Sequence, residues 1–249
     1  MNKDEKKHRE IADEMLPIQP DFQIKQVKCY NIDCMAFMKT IPDNFYELAV
    51  VDPPYGIGYD GQSRTTEIKN SKKKAPLTYK EHEHKGWDTH IPEKSFFDEL
   101  LRVSKNQIVC GGNYFANMLP NSRGWIYWDK KITNANNKNF SDGELMWTSY
   151  NKRLIKFTYD WIGFGYLNNP QREKKIHPTH KPTQLYKFFL TTYAKKGDKI
   201  IDTHGGSMSS ACACLDMGYD IDICEIDKEY FDNAVERLKN NVQDYFEFA

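Results

Sequence analysis

Leu48-Ala49-Val50-Val51-Asp52-Pro53-Pro54-Tyr55 is an apolar, partly β-branched run that stops at a carboxylate, two prolines and a tyrosine. Residues 48–51 are apolar in unbroken succession, so they read as a buried parallel strand. Pro53 and Pro54 lack an N–H and have a fixed φ, so they end the ladder and hold a stiff, extended turn. An acid, the Pro53 carbonyl and an aromatic ring thereby stand at the carboxyl end of a strand, the edge at which open α/β sheets bind ligands. Such a group suits a planar ring with an exocyclic amine. Tyr55 can stack on the ring, while Asp52 and the Pro53 carbonyl accept the two N–H bonds.

Outward from this turn, strands alternate with helices. Upstream, the pattern predicts a strand over 26–31 and a short helix over 34–40, with Asp33 where a helix cap would stand. Downstream it predicts a helix over 93–103, a strand over 107–110, a helix over 113–119 stopped by Pro120, and a strand over 124–128. Two strand-like runs, 144–149 and 154–159, are expected to form a hairpin. The last third reads helix 183–195 opened by Pro182, strand 199–201, helix 207–217, strand 219–224 and helix 228–240. This alternation implies a mostly parallel sheet. The expected organisation is a polar N-terminal arm over 1–23 and a single domain over 24–249, with no internal repeat or linker.

Composition narrows the classes. Lys and Arg total 35 and Asp and Glu 35, so no global basic signature exists and any nucleic-acid site must be a local patch. Residues 1–20 are charged and lack the apolar core of a signal peptide, and no run approaches a membrane span. Six cysteines without C-x-x-C pairing read as reduced, buried thiols, so a cytoplasmic protein without a metal site is expected. Two irregular basic segments interrupt the pattern. The first follows the proline turn, over 56–92, with Lys69, Lys72, Lys73 and Lys74; the second lies within 129–179, with Arg172, Lys174 and Lys175. A long structureless loop inside a compact domain is uncommon unless it is functional or disordered.

Asp202-Thr203-His204-Gly205-Gly206-Ser207 joins the strand at 199–201 to the helix after it. A glycine turn of this kind lets a ligand approach the backbone and a helix N-terminus, and Glu225, at the end of the next strand, is placed to bind ribose hydroxyls. The same turn could serve helix packing alone, with Glu225 an incidental surface acid.

Taken together, these motifs resemble the amino-methyltransferases that act on adenine N6 or cytosine N4 in DNA. Asp52-Pro53-Pro54-Tyr55 is similar to their catalytic motif. The run from Asp202 to Ser209 resembles Asp-Pro-Phe-x-Gly-Ser-Gly-Thr, and His180-Lys181-Pro182 resembles the element that precedes it. Cys224-Glu225-Ile226-Asp227, Arg237-Leu238, Gly111-Gly112-Asn113-Tyr114-Phe115, Trp128-Asp129-Lys130 and Ser141-Asp142-Gly143-Glu144-Leu145 carry the likeness across residues 24–240, the last three toward phage and bacterial adenine methylases. The catalytic motif precedes the cofactor turn, the order of the β class, whose sheet is permuted; a nicotinamide dehydrogenase would usually carry its glycine turn on the first strand.

The resemblance implies a Rossmann-like S-adenosylmethionine-dependent fold with a mostly parallel, seven-stranded sheet and helices on both faces. It implies S-adenosylmethionine as cofactor, held by Asp33, Lys181, Asp202, Gly205, Gly206, Ser207 and Glu225, with Asp33 bonding the adenine. Asp52, Pro53, Pro54 and Tyr55 would act on the amine of a flipped base, and the basic segments at 69–74 and 172–175 would track phosphates. The implied partner is DNA. A homodimer and a companion restriction nuclease are compatible with the family and required by neither motif. Adenine N6 is the expected target. Cytosine N4, where Ser more often replaces Asp52, stays open as an alternative, as does a catalytically inactive DNA-binding module. Thr203, His204 and Met208 depart from the family pattern. Met208 stands where the pattern has glycine, and it is costly if that position needs a positive φ.

Overall fold

The run before Asp52 folds as β3 (Leu48–Val51), the middle strand of a nine-stranded sheet in a computed structural model that describes residues 17–60, 84–131, 141–161, 173 and 176–247. The other strands are β1 (Phe22–Ile24), β2 (Val27–Tyr30), β4 (Gln107–Cys110), β5 (Trp125–Asp129), β6 (Gly143–Thr148), β7 (Ile155–Thr158), β8 (Lys199–Asp202) and β9 (Asp220–Cys224). Their order is β1-β2-β9-β8-β3-β4-β6-β5-β7. Only β1 and β6 run against the rest. The last two strands of the chain lie at the centre, which is the permuted order the motifs implied.

Each central strand is buried on both sides, and the pleat sorts its residues into two cores. Leu48, Val50, Ile108, Cys110, Ile200, Ile221 and Ile223 face one core, with α3 (Thr183–Tyr193), α4 (Ser209–Met217) and α5 (Lys228–Glu247). Ala49, Val51, Val109, Ile201 and Cys224 face the other, with α1 (Cys34–Met38) and α2 (Lys94–Val103). In α2 the buried residues Phe96, Phe97, Leu100 and Val103 recur at helical spacing. All six cysteines are free, and five are buried. No helix among the described residues is long and apolar enough to cross a membrane.

Four expectations need correction. The sheet has nine strands, not seven, because β1 and β7 extend its edges. β1 begins in the last two residues of the stretch expected to be an arm: Phe22 pairs antiparallel with Cys29 and Gln23 with Lys28. Residues 144–149 and 154–159 form no hairpin. Both edges of β6 are already taken by β4 and β5, so β7 pairs in parallel with the free edge of β5. The helix expected over 113–119 is a single 3₁₀ turn, Gly112–Tyr114, drawn tight where Phe115 is buried against Phe97.

Candidate active site

β3 and β8 are parallel neighbours, with Leu48 opposite Ile200 and Ala49 opposite Ile201. Their carboxyl ends therefore share one edge. From there the chain turns to α2 on one face after β3 and to α4 on the other after β8, which opens a crevice between the two strand ends.

Asp52 stands at the β3 side of this crevice. Lys181 Nζ donates to both of its carboxylate oxygens, at 2.7 and 2.6 Å, and Tyr55 Oη donates to Oδ1 at 2.8 Å. Burial raises the Asp52 pKa, opposed by the Lys181 ammonium. Glu144, on β6, closes the group. Its Oε2 lies 3.5 Å from Lys181 Nζ and 3.4 Å from Tyr55 Oη, and its Oε1 pairs with Lys130 at 2.5 Å. Burial pushes the Glu144 carboxyl up, but Lys181 and Lys130 outweigh it and hold the pKa at about 2.

Three contacts hold the Tyr55 turn. The Tyr55 ring stacks on Tyr114, centroids 4.8 Å apart and planes 15° apart. It also lies against Gly111, where a Cβ would come within 2.3 Å of the ring and where φ is +66°, so only glycine fits. The buried Asp88 carboxylate accepts from the backbone N–H groups of Tyr55 (2.8 Å), Gly56 (2.9 Å) and Tyr59 (2.8 Å), anchoring the chain just after the prolines.

On the β8 side, the backbone of the glycine turn is tied to the end of β9. Gly205 N donates to Cys224 O at 2.8 Å. Glu225 accepts from Gly206 N at 2.7 Å and from Asp227 N at 2.8 Å. Burial raises the Glu225 pKa, opposed by these N–H bonds. Behind the turn, Arg237 donates to Ser207 O, Ser209 Oγ, Thr183 Oγ1 and Glu173 Oε2. Glu173 also caps α3 by accepting from Thr183 N at 2.9 Å, so one guanidinium binds the starts of α3 and α4 together. Met208 has φ +53°, the left-handed conformation that the family glycine would supply. The strained alternative is therefore the one realised, and the buried Met208 side chain packs into the core.

A cavity of about 350 Å³ runs along the sheet edge from Asp52 and Pro54 past Gly205, Gly206 and Ser207 to Glu225, Ile226 and Asp227. Lys85, Trp87, His177 and Tyr230 complete its lining. Trp87 and Tyr230 flank His177, with centroids at 5.3 and 4.3 Å. Lys85 ties this wall to α5 through Asp227 (2.7 Å) and Glu229 (2.9 Å). The volume is that of a small-molecule site. Its donor set fits a nucleoside that carries a cation: acids at both ends, aromatic rings along the wall, and Ile226, an apolar side chain that is 68% exposed at the rim. Gly206, at φ +50°, lets the backbone approach such a ligand.

The structure brings Asp52, Pro54, Lys181, Gly205, Gly206, Ser207 and Glu225 around one cavity, with Tyr55 bonded to Asp52. Lys181, expected on the cofactor, pairs with Asp52. Two expected residues face elsewhere. Asp33 caps α1 by accepting from Ala36 N at 2.8 Å, and Asp202 accepts from Ser210 Oγ (2.6 Å) and His204 N (3.0 Å) beneath the turn; neither lines the cavity. Lys69, Lys72, Lys73, Lys74, Arg172, Lys174 and Lys175 lie outside the described residues, as does most of the 56–92 loop. Sequence reasoning gave no role to Glu144, Lys130, Tyr114, Asp88, Lys85, Trp87, His177 or Tyr230. Lys85, Trp87 and Asp88 share one stretch and Tyr114, Lys130 and Glu144 stand in motif segments, but no spacing along the chain joins these groups into one site.

A sheet of this order, with an acid-proline-proline-tyrosine turn beside a glycine turn at the topological switch point, is a doubly wound α/β protein with a ligand crevice where that class binds nucleotides. The DNA methylase family matches residues 46–236, so the chain belongs to the N6/N4 DNA methylase family and is a DNA methyltransferase of the S-adenosylmethionine-dependent type. It is 24% identical to the Type II methyltransferase M.HpaI of Haemophilus parainfluenzae over 81% of this chain and 70% of that protein. It is 23% identical to the Type II methyltransferase M2.MboI of Moraxella bovis over 90% and 94%. Among solved structures, the M1.HpyAVI–SAM complex superposes with a TM-score of 0.50 at 18% identity, over 85% of this chain and 99% of that one. The cytosine-N4-specific PvuII DNA methyltransferase superposes with a TM-score of 0.57 at 13% identity, over 88% and 89%. At these identities the two superpositions speak for the fold alone.

Proposed function

We propose that the protein methylates the N6 amine of an adenine flipped out of DNA, at a sequence-specific site. The observation that carries this reading is Asp52: a carboxylate only 13% exposed, bonded by Lys181 and Tyr55, at the end of the cavity. S-adenosylmethionine supplies an electrophilic methyl group on a sulfonium. Glu225 keeps lone pairs for ribose hydroxyls beyond its two backbone bonds, Gly205 and Gly206 admit the ligand to the backbone, and Ile226 offers an apolar face to a purine.

At the other end, Asp52 and the Pro53 carbonyl accept the N–H bonds of the target amine, which localises a lone pair otherwise delocalised into the ring. Positioning and electrostatics then drive an in-line displacement. The lone pair forms the C–N bond, the C–S electron pair stays with sulfur, and the amine sheds one proton, for which Asp52 is the adjoining acceptor. Its raised pKa suits that task.

Mass spectrometry of nucleosides tests the reading, using unmethylated genomic DNA incubated with the protein and S-adenosylmethionine. N6-methyladenine is the expected product. N4-methylcytosine instead would move the target to cytosine. Neither product, with the cofactor bound in calorimetry, would leave an inactive DNA-binding module.

A further inference from the structure

Four charged side chains meet at the catalytic end of the cavity: Asp52, Lys181, Glu144 and Lys130. Lys181 is 6% exposed, so its ammonium has no water to retreat into and must keep a carboxylate partner. In the structure its closer partner is Asp52, at 2.6 and 2.7 Å, with Glu144 farther off at 3.5 Å. Asp52 therefore already holds three hydrogen bonds, two from Lys181 and one from Tyr55, against about four lone-pair positions on a carboxylate. An incoming amine competes with Lys181 for the same oxygens.

The competition sharpens as the reaction proceeds. The amine nitrogen gains positive charge while the C–N bond forms, and an ammonium on the same carboxylate opposes that charge in a site with little water. Glu144 Oε2 already stands at ion-pair distance from Lys181 Nζ, 3.5 Å, and lies within about 1 Å of the separation of a charge-assisted hydrogen bond. Lys130 holds the other oxygen of Glu144, so Oε2 stays turned toward Lys181 and Tyr55. Glu144 lies on β6, paired in register with Trp128 of β5, so its backbone is fixed by the sheet.

We propose that Glu144 is the second seat of the Lys181 ammonium: as the target amine takes Asp52, Lys181 passes from Asp52 to Glu144, and Glu144 is a positioning residue for methyl transfer. The inference rests on the docking of the amine at Asp52 proposed above. The handover keeps the ammonium buried and paired throughout, frees acceptors on Asp52 and leaves Asp52 the better proton acceptor once its cation has moved away.

The competing explanation is that Glu144 merely ties Lys130 to the sheet. Two substitutions separate the two, because each removes the Lys130–Glu144 ion pair and only one removes the second seat. Single-turnover methyl transfer is measured for Glu144→Gln and Lys130→Met with saturating S-adenosylmethionine and unmethylated genomic DNA, alongside cofactor affinity and thermal melting. Glu144→Gln is expected to slow transfer at least about tenfold with cofactor affinity within about twofold, and Lys130→Met, which frees Glu144 to turn but keeps its carboxylate, to slow transfer by a factor at least about threefold smaller. A parent-like rate for Glu144→Gln, or equal slowing of both variants, overturns the proposal. Should Glu144→Gln fail to fold, Glu144→Asp takes its place: a carboxylate drawn back by one methylene is expected to slow transfer, and an unchanged rate overturns the proposal equally. An active Asp52→Ala protein would instead sink the docking of the amine on Asp52, which these variants do not test.

Discussion

β3 and β8 lie side by side, point the same way and lead into aspartates at the same sheet edge, yet the two carboxyls meet different partners. After Asp52 come two prolines, which cannot fold back, so the side chain is left facing the crevice and meets Lys181 and Tyr55. After Asp202 the chain curls into α4, and the carboxyl is taken up by that curl: Ser210 Oγ and His204 N bond it from within the turn. Burial raises both acids. Asp52 has an ammonium to oppose the rise, whereas Asp202 is bonded by neutral groups and is pushed to about 8. An aspartate at the carboxyl end of a strand thus meets the crevice or its own turn according to the backbone that follows it.

The strongest way to break this contrast is Asp52→Ala. Loss of a charged acceptor aimed at the reacting amine is expected to cut methyl transfer by about 10²–10³-fold or more while cofactor affinity, measured by calorimetry, changes little. Near-normal turnover would place the chemistry elsewhere on this edge.

Met208→Gly probes the strain in the β8 turn. Relief of the left-handed conformation at φ +53° is worth about 1–2 kcal/mol, whereas removal of the buried methionine side chain costs about 2–5 kcal/mol. Packing should win, and the variant should unfold at lower denaturant concentration by a net of about 1–3 kcal/mol. A stabilised variant would show that backbone strain dominates at this turn.

The smallest effect is expected from Asp202→Asn. Asparagine can accept from His204 N and donate to Ser210 Oγ, so turnover should stay within about threefold. The pH dependence of stability should change. Asp202 keeps its proton in the folded state up to about pH 8, while the unfolded chain releases it near pH 4, at about 3.9. Between those values the folded state binds the extra proton, so this group makes stability fall as pH rises, with a flat contribution outside the window. Denaturant titrations at several pH values should show the parent losing stability relative to the variant across that window. Parallel curves would mean that Asp202 is ionised and that the contrast with Asp52 is weaker than drawn.

The local chemistry of the chain was enough to determine the central strands and the turns that end them. Unbroken apolar runs such as Leu48–Val51 can only be buried, two prolines can only end a ladder, and the order of the family motifs implied the permuted sheet. Register and partner choice belonged to the tertiary structure. The pairing of β7 with β5 depended on β6 having both edges filled, and Phe22–Ile24 became a strand only because β2 offered it an edge. Asp33 and Asp202 are the acids that the motifs place on the cofactor; that both are also bonded within their own turns was set by side-chain direction rather than residue type. Glu144, Lys130, Lys181 and Asp52 are scattered across 129 positions of the chain, and charges so far apart become one cluster only when the sheet sets them against each other out of water.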